Sequence, residues 1–139
     1  MSLIDKLLQM DNKTLTEMPR REVEVPRLTQ MIGEPFKVVC QAIDGERYAD
    51  IQKASIDLNK KGGVRNINLF DMQVLTVIDG VVEPRLKDKK LLQHFDCVTP
   101  KELVKKLFLA GEIAELSNVI TELSGYDKTE EDEEEIKKQ

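Results

Sequence analysis

The clearest local signal in this sequence is the start of a helix at Thr99-Pro100-Lys101-Glu102. Thr99 can act as the N-cap, Pro100 fits the first helical position, and Glu102 can bond back to the Thr99 amide. Apolar side chains then recur on one helical face, at Leu103, Val104, Leu107 and Phe108. A second stripe comes after Gly111, and Gly125 ends it; its members are Ile113, Leu116, Ile120 and Leu123. Two amphipathic helices are therefore predicted in this part of the chain.

Two short strands are predicted between residues 20 and 43. Val23 and Val25 alternate with glutamates, which is typical of a half-buried strand, and Pro26 indicates an edge position or the end of the strand. Residues 36–43 form the second apolar run. Gly33 and Pro35 lie between the runs, so we expect an antiparallel hairpin with a loop around residues 29–34.

Further helices are predicted from candidate N-cap residues. Asp44 precedes a helix with apolar positions at Tyr48, Ile51, Ser55 and Leu58; Lys60 and Lys61 suit its last turn, and Gly62-Gly63 should end it. Asp88 precedes a short helix through Phe95. Residues 67–82 allow two interpretations. We favour a buried helix capped by Asn68 and ending near Ile78; the other is a hairpin that turns at Asp79-Gly80.

The composition predicts an aliphatic core and an acidic tail. Hydrophobic residues make up 40% of the 139 residues, aromatic residues only 4%, and tryptophan is absent. From Asp127 onward there are seven acidic and three basic side chains, so this segment carries −4 of the net charge of −5. We therefore predict one α+β domain over residues 1–126, mostly α, with several short helices packed with a hairpin at residues 20–43. Residues 127–139 are predicted to be a disordered acidic tail.

The N-terminal segment carries a separate aliphatic cluster, Leu3, Ile4, Leu7 and Leu8, on one face of a short helix. A helix this short is unstable alone, so it should dock either on its own domain or on a partner chain. The candidate partner-binding residues are these four together with Leu116, Ile120 and Leu123. For the last three, the alternative is the core of the protein itself.

No constellation of residues points to catalysis, so we expect a binding protein and not an enzyme. His94 is the only histidine, and Cys40 and Cys97 lie far apart in the sequence, which is too few ligands for a structural zinc site. Gly62-Gly63 lacks the context of a phosphate loop, so no cofactor is expected. The near-neutral body has no basic face for nucleic acid, and no apolar run has the length of a membrane span. Without a recognisable signal peptide, the cytoplasm is the expected compartment.

The order of several short stretches resembles the XkdN-like family of phage tail assembly chaperones, found in contractile-tail phages, defective prophages and phage-tail-like bacteriocins. The matching stretches cover nearly the whole chain in order: residues 22–28, 33–36, 45–52, 80–84, 86–89, 99–109, 111–114 and 123–127. Ala110 departs from the pattern, because proline is expected there in relatives.

The resemblance implies a chaperone that binds the tape measure protein in the host cytoplasm. It would keep that protein soluble until the tail tube polymerises around it, and it would be absent from the finished tail. The resemblance also implies the tail tube protein, a longer frameshifted form of the chain and a second copy of the chain as possible partners. Two alternatives stay open: a minor structural tail or baseplate protein, and a regulatory binding protein encoded by a prophage.

Overall fold

The computed structural model of the protein describes residues 2–58 and 64–126. Within these ranges the chain forms eight helices: α1 (Leu3–Leu8), α2 (Asn12–Thr16), α3 (Pro26–Ile32), α4 (Gly45–Ala54), α5 (Leu69–Gly80), α6 (Lys89–His94), α7 (Pro100–Leu107) and α8 (Ala110–Leu123). The strands are β1 (Arg20–Glu24), β2 (Lys37–Gln41), β3 (Ile56–Leu58), β4 (Val64–Ile67) and β5 (Val81–Glu83). The predicted class, α+β and mostly α, is confirmed.

The larger sheet has the antiparallel order β1-β2-β5, so β1 lies at an edge. The Val25 amide donates to the Phe36 carbonyl at 3.0 Å, and the Ala42 amide donates to the Pro19 carbonyl at 3.0 Å. Because hydrogen-bonded pairs alternate along an antiparallel ladder, the odd-numbered residues of β1 bond to β2. The N–H and C=O groups of Arg20, Glu22 and Glu24 therefore point to the open edge, where charged side chains discourage further pairing.

The predicted pairing of residues 20–24 with residues 37–41 is confirmed, but the predicted loop between them is wrong. The segment forms helix α3, in which Pro26 occupies the first turn. Gly33 ends the helix with a left-handed φ of 89°, and its amide donates to the Thr29 carbonyl at 2.9 Å. Pro26 thus ends β1 and begins α3, since its fixed φ suits the first helical position.

The cap at Asp44 is confirmed: its Oδ1 accepts from the Arg47 amide at 2.9 Å. The predicted length of this helix is wrong, because α4 ends at Ala54 and the chain continues into the β3–β4 hairpin. The buried Ser55 hydroxyl donates to the Ile51 carbonyl at 2.8 Å where the helix ends. The predicted helix end, Lys60, Lys61, Gly62 and Gly63, lies outside the described residues.

Residues 69–80 form a helix, so the hairpin interpretation of this segment is wrong. Asn68 Oδ1 accepts from the Asp71 amide at 2.9 Å, as a capping residue should. Gly80 does not adopt the positive φ that a tight hairpin turn at Asp79-Gly80 would need. The helix ends two residues later than predicted, and the chain passes directly from Gly80 into β5.

The caps of α6 and α7 agree with the prediction in all but one bond. Asp88 Oδ1 accepts from the Leu91 amide at 3.0 Å, and Thr99 Oγ1 accepts from the Glu102 amide at 3.2 Å. Glu102 bonds back to the Val98 amide at 2.8 Å and not to the Thr99 amide. The capping carboxylate therefore holds the residue one position before the N-cap.

The core is aliphatic, and α5 lies at its centre, packed against α8, α7 and α4. Strand β2 covers another side of α8. Side chains with at most 1% exposure come from all these elements: Val38, Cys40, Ile51, Val74, Thr76, Val77, Leu103, Val104, Ile113, Leu116 and Ile120. Gly80 belongs to the α5–α8 contact, because a Cβ placed on it would lie 2.5–2.7 Å from the Ile120 side chain.

Candidate partner-binding surface

An apolar groove of about 390 Å³ lies between α3 and α7, next to the end of α6. Leu28 and Leu103 form its buried floor. Met31 and Ile32 form one wall and are 71% and 53% exposed, and the half-buried Phe95 and Leu107 lie opposite. A groove with a closed aliphatic floor and exposed apolar walls suits the apolar face of a helix from another chain. We refer to it as the α3–α7 groove.

One arginine connects the elements that surround the groove. Arg27 Nη2 donates to the Leu107 carbonyl at 2.8 Å and to Glu112 Oε1 at 2.9 Å, while its Nε lies 3.1 Å from Glu112 Oε2. Glu112 also accepts from the Leu109 amide at 2.8 Å at the start of α8. Arg27 thereby joins the first turn of α3 to the end of α7 and the beginning of α8, which fixes the spacing of the two walls.

The ion pair between Arg27 and Glu112 shifts the pKa values of both groups. The hydrogen bond from Arg27 lowers the pKa of Glu112 below its ordinary value, although partial burial acts in the opposite direction. The same bond raises the pKa of Arg27. Both groups are therefore charged at neutral pH, and Arg27 and Lys106 are the charged residues that line the groove.

The predicted N-terminal cluster does not dock on its own domain. Leu3, Ile4, Leu7 and Leu8 are 76%, 69%, 57% and 78% exposed, and neither α1 nor α2 contains a buried residue. Ser2 and Asp5 form a complete capping box that begins α1. Three more apolar side chains of residues 2–18 are exposed: Met10, Leu15 and Met18. We refer to residues 2–18 as the N-terminal arm, and its apolar surface is unpartnered in the single chain.

The candidate residues of the last stripe lie elsewhere. Leu116 and Ile120 are at most 1% exposed and pack in the core, and Leu123 is half-buried against the same core. The protein's own core therefore accounts for these side chains. In this conformation a partner cannot reach Leu116 or Ile120, so the candidate surface does not include them.

Within the described residues, neither cysteine forms a hydrogen bond with His94. Cys40 is fully buried in β2, and burial raises the pKa of its thiol to about 11. Cys97 is half-buried, with its Sγ 3.5 Å from the Phe95 carbonyl oxygen. His94 stacks edge-on against Phe95 with the ring centres 4.8 Å apart. In this arrangement neither thiol is paired with the histidine as a nucleophile with its base.

Within residues 2–58 and 64–126, no group of three or more histidine, cysteine or acidic side chains could hold a metal ion. Over the same ranges, none of the helices combines the length and the apolar character needed to span a bilayer.

Met31 and Ile32 are the groove residues that the sequence reasoning missed. The signal was present, because Leu28, Met31 and Ile32 have helical spacing between a proline suited to begin a helix and a glycine suited to end it. Interpreting residues 29–34 as a hairpin loop concealed that spacing.

The sequence and the fold of this chain are similar to those of known proteins. The model of the family described as "Phage XkdN-like tail assembly chaperone protein" matches residues 4–137. The uncharacterized protein YqbN of Bacillus subtilis (strain 168) is 28% identical over 124 residues, which cover 84% of this chain and 83% of that protein.

A crystal structure of YqbN has a similar fold. It superposes with a TM-score of 0.58 at 21% sequence identity and covers 85% of this chain and 98% of the crystallised one. The match to the family model covers nearly the whole sequence, and family membership supports a chaperone role in tail assembly. The chain therefore belongs to the XkdN-like tail assembly chaperones of phages.

Proposed function

We propose that this chaperone binds the tape measure protein of a contractile-tail phage, prophage or phage-tail-like bacteriocin in the host cytoplasm. It keeps that client soluble until the tail tube polymerises around it, makes and breaks no covalent bond, and leaves before the tail is complete. Family membership supports a role in tail assembly. The observation that carries the finer proposal is the α3–α7 groove, with its buried floor and exposed Met31 and Ile32.

The groove has the chemistry that an aggregation-prone helical client requires. A client helix can place its apolar stripe on Leu28 and Leu103 and leave its polar face in water. Met31 at the rim is unbranched and polarisable, so it can adapt to different client side chains along a long helical chain. The net charge of −4 from Asp127 onward keeps loaded complexes apart by mutual repulsion.

The test is co-expression of the full-length chaperone with the tape measure protein, followed by affinity capture and measurement of the soluble client. In the variant Met31→Glu/Ile32→Glu, two carboxylates would have to lose water where apolar side chains of the client pack in the wild type. We expect the captured client to fall by about tenfold or more. Both side chains are exposed, so the fold should be retained, and circular dichroism checks this.

A matched control places two glutamates on exposed apolar positions outside the groove and the arm. Leu69→Glu/Val98→Glu serves this purpose, since these side chains are 62% and 84% exposed. The control should retain the client. If the groove variant captured as much client as the control, the groove would not be the client site.

The proposal also separates a chaperone from a structural component. Mass spectrometry of purified tails should detect the tape measure protein and not this chain. Detecting this chain in stoichiometric amounts in finished tails would favour the minor tail or baseplate alternative. Normal tails in a strain without the gene would exclude the chaperone role.

A further inference from the structure

We infer that the N-terminal arm docks in the α3–α7 groove of a second copy of this chain. The inference goes beyond the proposed function, because it assigns the arm a partner and does not require the tape measure protein. When both the arm and the client can bind, the arm of a second copy and a client helix would compete for the same apolar floor of the groove.

The arm carries an apolar surface that the rest of its own chain does not cover. Helix α1 has six residues, too few to be stable in water by its own hydrogen bonds. Its four aliphatic side chains are all more than half exposed. A capped helix with an unburied apolar stripe is stabilised only when another surface covers that stripe.

The aliphatic stripe of α1 matches the α3–α7 groove in length and in chemistry. The stripe from Leu3 to Leu8 is about 8 Å long. The groove lies between helices of seven and eight residues, about 10–12 Å each, so it can accommodate this length. Its floor is aliphatic, formed by Leu28 and Leu103, and the stripe is entirely aliphatic.

The charges of the arm and of the groove rim are also complementary. The charged residues that line the groove are both cations, Arg27 and Lys106. Asp5 lies on α1 beside the stripe, three residues before Leu8, and Asp11 follows at the start of α2. With the stripe inserted, these carboxylates approach the cationic rim. The net charge of residues 2–18 is −1, which is opposite in sign to the +1 that remains at the rim once Glu112 has paired with Arg27.

The direction of the chain favours docking in the groove of a second copy over docking in the arm's own groove. The arm is fixed at Pro19, whose carbonyl accepts from the Ala42 amide at the first end of β1. Strand β1 then runs away from the arm for five residues, and α3 begins beyond its far end. To reach its own groove, the arm would have to reverse and run back along the charged edge of β1. Two copies can instead exchange arms reciprocally about a twofold axis, which fills both grooves.

The experiment measures self-association of the full-length chain without any client, by sedimentation velocity between about 1 and 500 µM, the range suited to a small interface. The wild type should form dimers as its concentration rises. The arm variant Leu7→Glu/Leu8→Glu and the groove variant Met31→Glu/Ile32→Glu should each raise the dissociation constant more than about tenfold. The control Leu69→Glu/Val98→Glu should dimerise like the wild type.

Mixing the two deficient variants gives the sharpest readout. The intact arm of the groove variant can enter the intact groove of the arm variant, so the mixture should recover a heterodimer that neither variant forms alone. A wild type that stays monomeric throughout the range would overturn the inference, as would dimers that persist in both variants. Recovery of no heterodimer would show that arm and groove do not bind each other. Since no client is present, these results leave the proposed function untouched.

Discussion

Gly80 leaves the space that Ile120 occupies where α5 packs on α8. A Cβ at this position would lie 2.5 Å from the Ile120 Cδ1, far inside van der Waals contact. Neighbouring core side chains leave little room for Ile120 to move, since Val77 and Leu116 are also almost completely buried. A glycine near the end of a helix is therefore required here by packing and not by backbone conformation.

We predict that Gly80→Ala lowers the free energy of unfolding by about 1–3 kcal/mol, as overpacking of a core does. Urea denaturation followed by circular dichroism measures it. The clash should disappear when the Ile120 side chain is shortened. In an Ile120→Ala background, Gly80→Ala should therefore lower the free energy of unfolding by clearly less. Equal costs in the two backgrounds would contradict this account.

Glu112 makes the stability of the protein depend on pH. Its pKa is lowered in the folded state from the ordinary 4.5, chiefly by the hydrogen bond from Arg27. The unfolded chain therefore takes up this proton at a higher pH than the folded chain does. The stabilisation is complete above pH 4.5 and is lost as the pH falls through the lowered pKa of the folded state.

We predict that Glu112→Gln is less stable than the wild type at about pH 7 and that the difference shrinks as the pH falls below 4.5 and through the lowered pKa of Glu112 in the folded state. Thermal unfolding across this pH range measures the difference. Glu115→Gln is the control, since Glu115 is an exposed glutamate on the same helix, and it should follow the wild type. A stability difference between Glu112→Gln and the wild type that did not change with pH would show that the charge of Glu112 does not cause it.

At the scale of elements, α3 depends on its two ends. Pro26 occupies its first turn, and Gly33 ends it in a left-handed conformation that side chains with a Cβ disfavour. This helix supplies Leu28, Met31 and Ile32 to the α3–α7 groove. Its termination therefore determines where one wall of the groove ends.

We predict that Gly33→Ala lowers the free energy of unfolding by about 1 kcal/mol, because alanine would be strained at a φ of 89°. Gly111→Ala is the matched control. It lies in the first turn of α8 with open space around it and without a positive φ, so it should leave stability unchanged or raise it by about 0.5 kcal/mol. Chemical denaturation of both variants measures their free energies of unfolding. Equal changes in the two variants would contradict this prediction.

Elements with a strong local cap were predictable from the sequence, and elements defined by distant partners were not. Asn68, Asp88 and Thr99 identified α5, α6 and α7 because their capping bonds lie within a few residues. Strand β5 has only three residues, and its existence depends on β2, about forty positions earlier. Its prediction would have required knowledge of the tertiary fold.

The candidate surface could likewise be predicted only in part from the sequence, because its cover depends on the tertiary fold. The apolar face of α1 was recognisable from spacing alone, but its lack of cover within the chain could only be seen in the structure. Leu116 and Ile120 have the same kind of spacing and are buried. Periodicity thus identifies an apolar face, whereas the tertiary fold decides whether the protein or a partner covers it.

At the scale of the whole molecule, the N-terminal arm is separable from the domain. None of the residues of α1 or α2 is buried, whereas the domain core begins with Val25 and Leu28. Strand β1 marks the boundary, because its bonds to β2 are part of the sheet. Folding of the domain should therefore be independent of residues 1–18.

We predict that deletion of residues 1–18 changes the melting temperature by no more than about 2 °C at micromolar concentration. Deletion through Glu24, which also removes β1, should destabilise the protein strongly because it uncovers Val38 and Cys40 in β2. Differential scanning calorimetry distinguishes the two. A large loss of stability in the shorter deletion would show that the arm belongs to the folded unit.

The open edge of β1 also affects how well a tail assembly chaperone stays in solution. Arg20, Glu22 and Glu24 turn their backbone N–H and C=O groups outward, and each carries a charge. An extended segment arriving at this edge would have to strip water from three ionised side chains. Fibril growth through the sheet is thereby discouraged, so a crowded population of loaded molecules should remain in solution as discrete particles.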